Sequence, residues 1–185
     1  AAGTEICSSQ KTKSFRISKV EEVQDINLFC HTTANKPAVR LENTELGIEY
    51  HLYVNNTDYE SYTANSVGAT IEFKPIDVPT SAFATVYVLA VEPNTTGCEL
   101  KMSKEFNISP LHATVVSENI SCHGRLDGKF TGSYQGGVGL PNSINHKLIN
   151  KKTNLEEPIS SSVILGAAQY EYVVTDSVGC NFTVP

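Results

Sequence analysis

Tryptophan is absent from the 185 residues, and with it the ring that packs on the intersheet bridge of antibody-type sandwiches. No Cys-x-x-Cys pair occurs among the five cysteines. Their spacings of tens of residues fit disulfides in an oxidising compartment better than a zinc site. The longest strongly apolar run, Val86 to Val91, is far short of the ~20 residues that cross a bilayer, so no membrane span is expected. Fourteen Lys and Arg against 20 Asp and Glu give a formal net charge of -6. The basic residues are scattered, which argues against a nucleic-acid partner. There is no Gly-x-Ser-x-Gly elbow, no Gly-x-x-x-x-Gly-Lys loop and no His-Glu-x-x-His helix. The histidines (His31, His51, His112, His123 and His146) never fall at ligand spacing. Neither an enzyme nor a bound cofactor or metal is expected.

What the sequence does have is a repeat. Cys98 is followed by Phe106, Ile108, Ser109 and then Cys122; Cys7 is followed in the same way by Phe15, Ile17, Ser18 and Cys30. Gly179-Cys180 begins a third copy, as Gly97-Cys98 begins the second. Cys7 to Cys98 is 91 residues, Cys30 to Cys122 is 92 and Cys98 to Cys180 is 82. A period of that size is a whole domain. The chain is therefore expected to be a cut from a longer array: residues 1–18 end a preceding repeat, 19–109 form one domain, and 110–185 form a second whose last strand is cut short.

Residue usage leans towards strands and turns, with Thr, Ser, Val, Ile, Tyr and Asn abundant. Ile48 to Val54 alternates with Tyr50, Leu52 and Val54 on one face, and Ala84 to Val91 alternates on both. Further strands are expected over Val20 to Phe29, around Val39 and Leu41, and over Ala69 to Phe73 and Glu99 to Ile108. The later ones are expected over Leu111 to Ile120, Lys129 to Tyr134, Ile144 to Ile149, Ser162 to Leu165 and Tyr170 to Thr175. Gly136, Gly137 and Gly139 are placed to supply positive φ, and Asp176 to Gly179 to turn the chain into Cys180. Short strands at intervals of 8 to 12 residues predict an antiparallel sandwich for each domain.

Two bridges among five thiols allow fifteen connectivities. If Cys7, Cys98 and Cys180 are equivalent closing positions, and Cys30 and Cys122 equivalent opening ones, the repeat selects Cys30 with Cys98 and Cys122 with Cys180. Cys7 is then left unpaired.

Other groups offer a functional reading beside a plain one. Asp127 and Asp176 flank the second domain's cysteines and supply part of a calcium shell, but such a shell needs six or more oxygens, and Asp in these turns serves backbone geometry. Tyr50, Tyr53, Tyr59, Tyr62 and Tyr134 form a carbohydrate-stacking platform if exposed together, whereas alternating tyrosines on strands ordinarily half-bury. Asn55, Asn94, Asn107, Asn119 and Asn181 head Asn-x-Ser/Thr triplets, common by chance in such a composition.

The stretch from about 115 to 182 resembles the SprB repeat of gliding-motility adhesins. The motifs that carry the likeness are Ser121-Cys122-His123-Gly124, Asp127-Gly128, Gly136-Gly137, and Tyr170 to Val174 followed by Thr175-Asp176-Ser177-Val178-Gly179-Cys180. The preceding domain is similar to the immunoglobulin-like modules that accompany such repeats, through Glu49 to Asn55 and Ala90 to Cys98. The resemblance implies two tandem immunoglobulin-like antiparallel β-sandwiches in an all-β chain. It also implies a stalk segment of a large bacterial cell-surface adhesin exported by type IX secretion, acting outside the cell. Its partners are then neighbouring repeats of the same chain and a surface polysaccharide or substratum. The alternative is a carbohydrate-binding sandwich module of a polysaccharide-recognition protein.

Overall fold

The structure is a computed structural model that describes residues 20, 23, 25–78, 83–93, 98–122, 124–138, 143–157, 159 and 163–185. Cys7, His123, Asn94 and Gly139 lie outside the described residues, as does the stretch that was expected to end a preceding repeat. Among the described residues there are thirteen strands and no α-helix, and every pairing is antiparallel.

In the first half, β1 (Ile26–His31) turns through Thr32 to Asn35 into β2 (Lys36–Thr44). β3 (Glu49–Val54) alternates so that Tyr50 and Leu52 are buried. It meets β4 (Thr57–Thr63) through Asn55 and Asn56, both at positive φ (52° and 61°), as a two-residue hairpin requires. β5 (Ala69–Glu72) and β6 (Ala84–Val91) follow. In β6, Ala84, Val86, Val88 and Ala90 are fully buried, while Thr85, Tyr87, Leu89 and Val91 are half-covered on the outer face.

β7 (Glu99–Glu118) is a single strand of 20 residues that belongs to both halves. The sequence predicts its two parts as separate strands, ending one domain and beginning the next. Residues up to Ile108 pair with β6, and residues from Ser109 pair with β8 (Gly128–Gly137). Pro110 lies at the changeover, inside a register shift between Ser109 and His112, where a residue without an N–H interrupts no ladder. Opposite it, Gly136 (φ 77°) brings its backbone so near that a Cβ would lie 1.9 Å from the Pro110 oxygen. The second half continues with β9 (Asn145–Asn150), β10 (Leu155–Glu157), β11 (Val163–Leu165), β12 (Tyr170–Thr175) and β13 (Asn181–Val184).

Strand order is the same in the two halves. β1-β2-β5 forms one layer of the first half, and β4-β3-β6 with the leading part of β7 forms the other. The trailing part of β7 with β8 and β11 forms one layer of the second half, and β10-β9-β12-β13 the other. Between the layers of the first half lie Ile26, Val39, Leu41, Tyr50, Leu52 and Val86, among others. The second core is smaller, with Ala113, Phe130, Leu148, Tyr172 and Val174 buried.

Following the strands sorts the turns into three levels. β7 starts beside Val91, where β3 also starts and where the β2–β3 and β4–β5 turns lie. It crosses the junction at Ile108 and Ser109, and it ends beside Lys129, at the far pole of the second half.

Candidate functional site

Among the described residues, the most elaborated polar site lies where the halves meet. Cys30, near the end of β1, is bonded to Cys180, which heads β13. The bond spans 150 positions and joins one half to the other. Around it the Cys30 N–H donates to the Val178 carbonyl at 3.1 Å. The Asn35 amide donates to the Asn181 carbonyl at 2.6 Å, and its Oδ1 accepts the Asn181 N–H at 3.0 Å. Asn35 sits at φ 50° in the β1–β2 turn, a conformation Asn tolerates better than most residues. Val138 and Val178 of the second half pack into the core of the first.

This corrects the pairing that the repeat selects. Cys30 is not bonded to Cys98, nor Cys122 to Cys180; Cys98 and Cys122 are free and exposed. The reason is the direction of the strands. β1 runs towards the junction and delivers Cys30 there, whereas Cys98 precedes β7 at the opposite end, ten residues before Ile108, roughly 30 Å away along a strand. In the second half the relation is mirrored: Cys180 heads β13 at the junction and Cys122 lies beyond the far end of β7. Equivalent cysteines exist, but within one half they occupy opposite poles.

Asp176 shapes the junction. It is 6% exposed, and its carboxylate accepts three backbone amides: Val138 at 3.0 Å on Oδ2, Val178 at 3.1 Å and Cys180 at 2.9 Å on Oδ1. Ser177 adds a hydroxyl bond to the Val138 carbonyl at 2.6 Å. Those amides occupy the oxygens a cation would need, so Asp176 serves the turn. Asp127 is remote from it, exposed before β8, and accepts the hydroxyl and amide of Ser121. The Ser121 hydroxyl, with its amide, holds the Asp127 carboxyl below the ordinary carboxylate value. No group of three or more His, Cys, Asp or Glu side chains among the described residues is placed to hold a metal.

The tyrosines do not gather. Tyr50 is fully buried, and its hydroxyl accepts the Glu45 N–H; burial pushes its phenol pKa up. Tyr53 stacks on Tyr87 at 5.1 Å on the outer face, with Lys101 3.9 Å from the Tyr87 ring. Tyr59 donates to the Pro75 carbonyl and carries Lys74 on its ring, and Tyr62 lies edge-on to Phe73. Tyr134 is in the other half, beside His146. The described histidines are equally dispersed: His31 accepts the Ala34 N–H in a turn, His51 meets Asp58 at 2.8 Å, His112 lies against Phe182, and His146 bonds the Tyr172 hydroxyl.

A cavity of about 430 Å³ opens at the far pole of the second half. Val115, Phe130, Leu148, Leu165, Tyr170 and Tyr172 line its interior, and the Glu118–Lys129 ion pair (2.8 Å) stands on its rim. The sequence gives little sign of it: a three-residue β11 and the small Gly166, Ala167 and Ala168 leave the second core underfilled. The Asn35–Asn181 clamp also escapes sequence reasoning, because Asn35 reads as turn composition and Asn181 as the head of a chance triplet.

No family model, no curated protein and no solved structure matches the chain.

Proposed function

We propose that the chain is a stiff spacer, a repeat segment of a secreted bacterial cell-surface adhesin that acts in adhesion and gliding and has neighbouring repeats as its immediate partners. The observation that carries this reading is the junction, where a continuous strand, a disulfide, a two-point amide clamp and an inserted pair of valines replace a linker. Interfaces between domains of one chain ordinarily permit relative motion; a covalent bond beside a shared strand removes most of it. The Cys30–Cys180 bond fits an oxidising compartment and hence an extracellular location. The gliding and type IX secretion assignments rest on the likeness of Ser121 to Gly124, Asp127-Gly128 and Thr175 to Cys180 to SprB repeats.

Small-angle scattering of the chain at two temperatures tests the spacer. One extended particle of constant maximum dimension is expected. A broad spread of dimensions that narrows on cooling overturns it. So does binding to a polysaccharide panel that is lost on Tyr59→Ala with Tyr62→Ala, the outcome that belongs to the carbohydrate-binding alternative.

A further inference from the structure

Cys98 occupies the position of Cys180, and Cys122 lies in the turn beyond the strand that corresponds to the one bearing Cys30. Cys98 directly precedes β7 as Cys180 directly precedes β13. In both, the acid that follows the preceding strand donates its N–H to the cysteine carbonyl, Glu92 to Cys98 at 3.1 Å and Asp176 to Cys180 at 2.9 Å. Cys122 lies four residues beyond the end of β7, whereas Cys30 is the last residue but one of β1; Asp127 stands five residues beyond Cys122, just before β8, as Asn35 stands five beyond Cys30, just before β2. Cys98 therefore carries the local framework of Cys180, and Cys122 keeps the five-residue spacing to the side chain before the next strand that Cys30 has in the bond across the junction.

The poles around them carry complementary features. Leu46 (53% exposed) and Val67 (81%) lie in the turns at the Cys98 pole. Leu46 leaves the end of β2 much as Val138 leaves the end of β8, yet Val138 is covered by the neighbouring half. At the Cys122 pole the 430 Å³ cavity opens beside Asn119, Ile120 and Gly128, and Leu126 stands 73% exposed. At the junction, the corresponding end of the first core is filled by Val138 and Val178.

We propose that the Cys122 pole is a socket for the Cys98 pole of a second copy of this chain, and that a Cys122–Cys98 disulfide seals the contact as Cys30–Cys180 seals the junction. Leu46 of the incoming copy enters the cavity, and Asp127 accepts the Glu99 N–H as Asn35 accepts that of Asn181. Asp127 has no donor to return to the Glu99 carbonyl, so this clamp has one point instead of two. The surfaces in contact differ, so the association is head-to-tail and propagates into a filament. The inference rests on the spacer reading and says how one spacer joins the next. The bond forms by thiol–disulfide exchange. The Cys98 thiolate attacks oxidised glutathione and releases one glutathione thiol. The Cys122 thiolate then attacks the Cys98 sulfur of the mixed disulfide and releases the second. Overall two protein thiols are oxidised and one glutathione disulfide is reduced.

The test uses two forms of the whole chain, both carrying Cys7→Ser, one also Cys98→Ser and the other also Cys122→Ser. They are mixed in a glutathione redox buffer and resolved by intact mass and peptide mapping without reduction. Docking raises the local thiol concentration, so the mixed Cys122–Cys98 dimer should exceed the two homodimers by about tenfold or more, with Cys30–Cys180 intact in both partners. Adding Leu46→Glu to the partner that offers Cys98 should bring the mixed dimer down to the homodimer level. Statistical proportions of the three dimers, absence of the mixed dimer, or an internal Cys98–Cys122 bond in the Cys7→Ser chain overturns the proposal. Scattering from the unmixed monomer separates the two readings. A monomer of constant length with no mixed dimer defeats only the docking, whereas a monomer of variable length defeats the spacer itself.

Discussion

The side chain of Asn35 holds the backbone of Asn181 at both of its polar groups, donating to the carbonyl at 2.6 Å and accepting the N–H at 3.0 Å. The two residues are 146 positions apart and belong to different halves. A side-chain amide can do both at once because it carries a donor and an acceptor side by side on one planar group.

Asn35→Gly removes the clamp while keeping a residue at ease with φ 50°. Loss of two exposed hydrogen bonds should lower unfolding free energy by about 1–2 kcal/mol. Hydrogen exchange at the Asn181 amide should quicken by more than the global change explains. Unchanged exchange there would show that the clamp does not form in solution.

Asp176→Ala strips the acceptor from three backbone amides, two of them from buried residues, and should destabilise by about 3 kcal/mol or more. Asp176→Asn keeps one oxygen and should lose less. Calorimetric melting should give the same transition temperature with and without chelator, since the amides already occupy the carboxylate. A fall on chelation would restore the calcium reading.

Gly136→Ala should be among the most damaging single changes in the chain. Its Cβ would meet backbone, the Pro110 oxygen, at 1.9 Å, at a φ of 77° that an alanine resists. Chemical denaturation should show a loss above about 2 kcal/mol, while Gly124→Ala, with open space at its Cβ, should cost only the positive-φ term of about 1 kcal/mol. Equal effects would mean that the close approach relaxes freely.

The pH dependence carried by Asp127 has a definite sign. Its folded-state pKa is depressed by the Ser121 hydroxyl and amide, so its contribution is present above the unfolded value and is lost as pH falls through the folded one, below about pH 4. Ser121→Ala should move the Asp127 titration upward towards the ordinary carboxylate value in an NMR titration. A midpoint that stays put would place the cause elsewhere.

How much of this could be read in the chain depends on how each feature is encoded. β3 was legible because alternation marks a strand with one buried face, β6 because it is apolar on both faces, and β12 because it matches β6. β4 and β10 were not, since an edge strand made of Thr-Asp-Tyr-Glu-Ser-Tyr-Thr or Leu-Glu-Glu has no apolar stripe to show. The turn role of Asp176 and the positive φ of Gly136 and Gly137 follow from residue chemistry and were expected. The cysteine pairing was not recoverable, because a repeat says which positions are equivalent and is silent on which pole each one occupies. Strand direction decides that, and it appears only when β1 and β7 are seen to run the same way past each other.

The bridge from Cys30 to Cys180 also alters what tension can do. A pull entering before Cys30 and leaving after Cys180 passes through one covalent bond and bypasses the residues between them. Even if both halves melted under load, the intervening chain, on the order of 500 Å when extended, would stay locked out of the force path. Such a strap yields almost no slack before something covalent breaks.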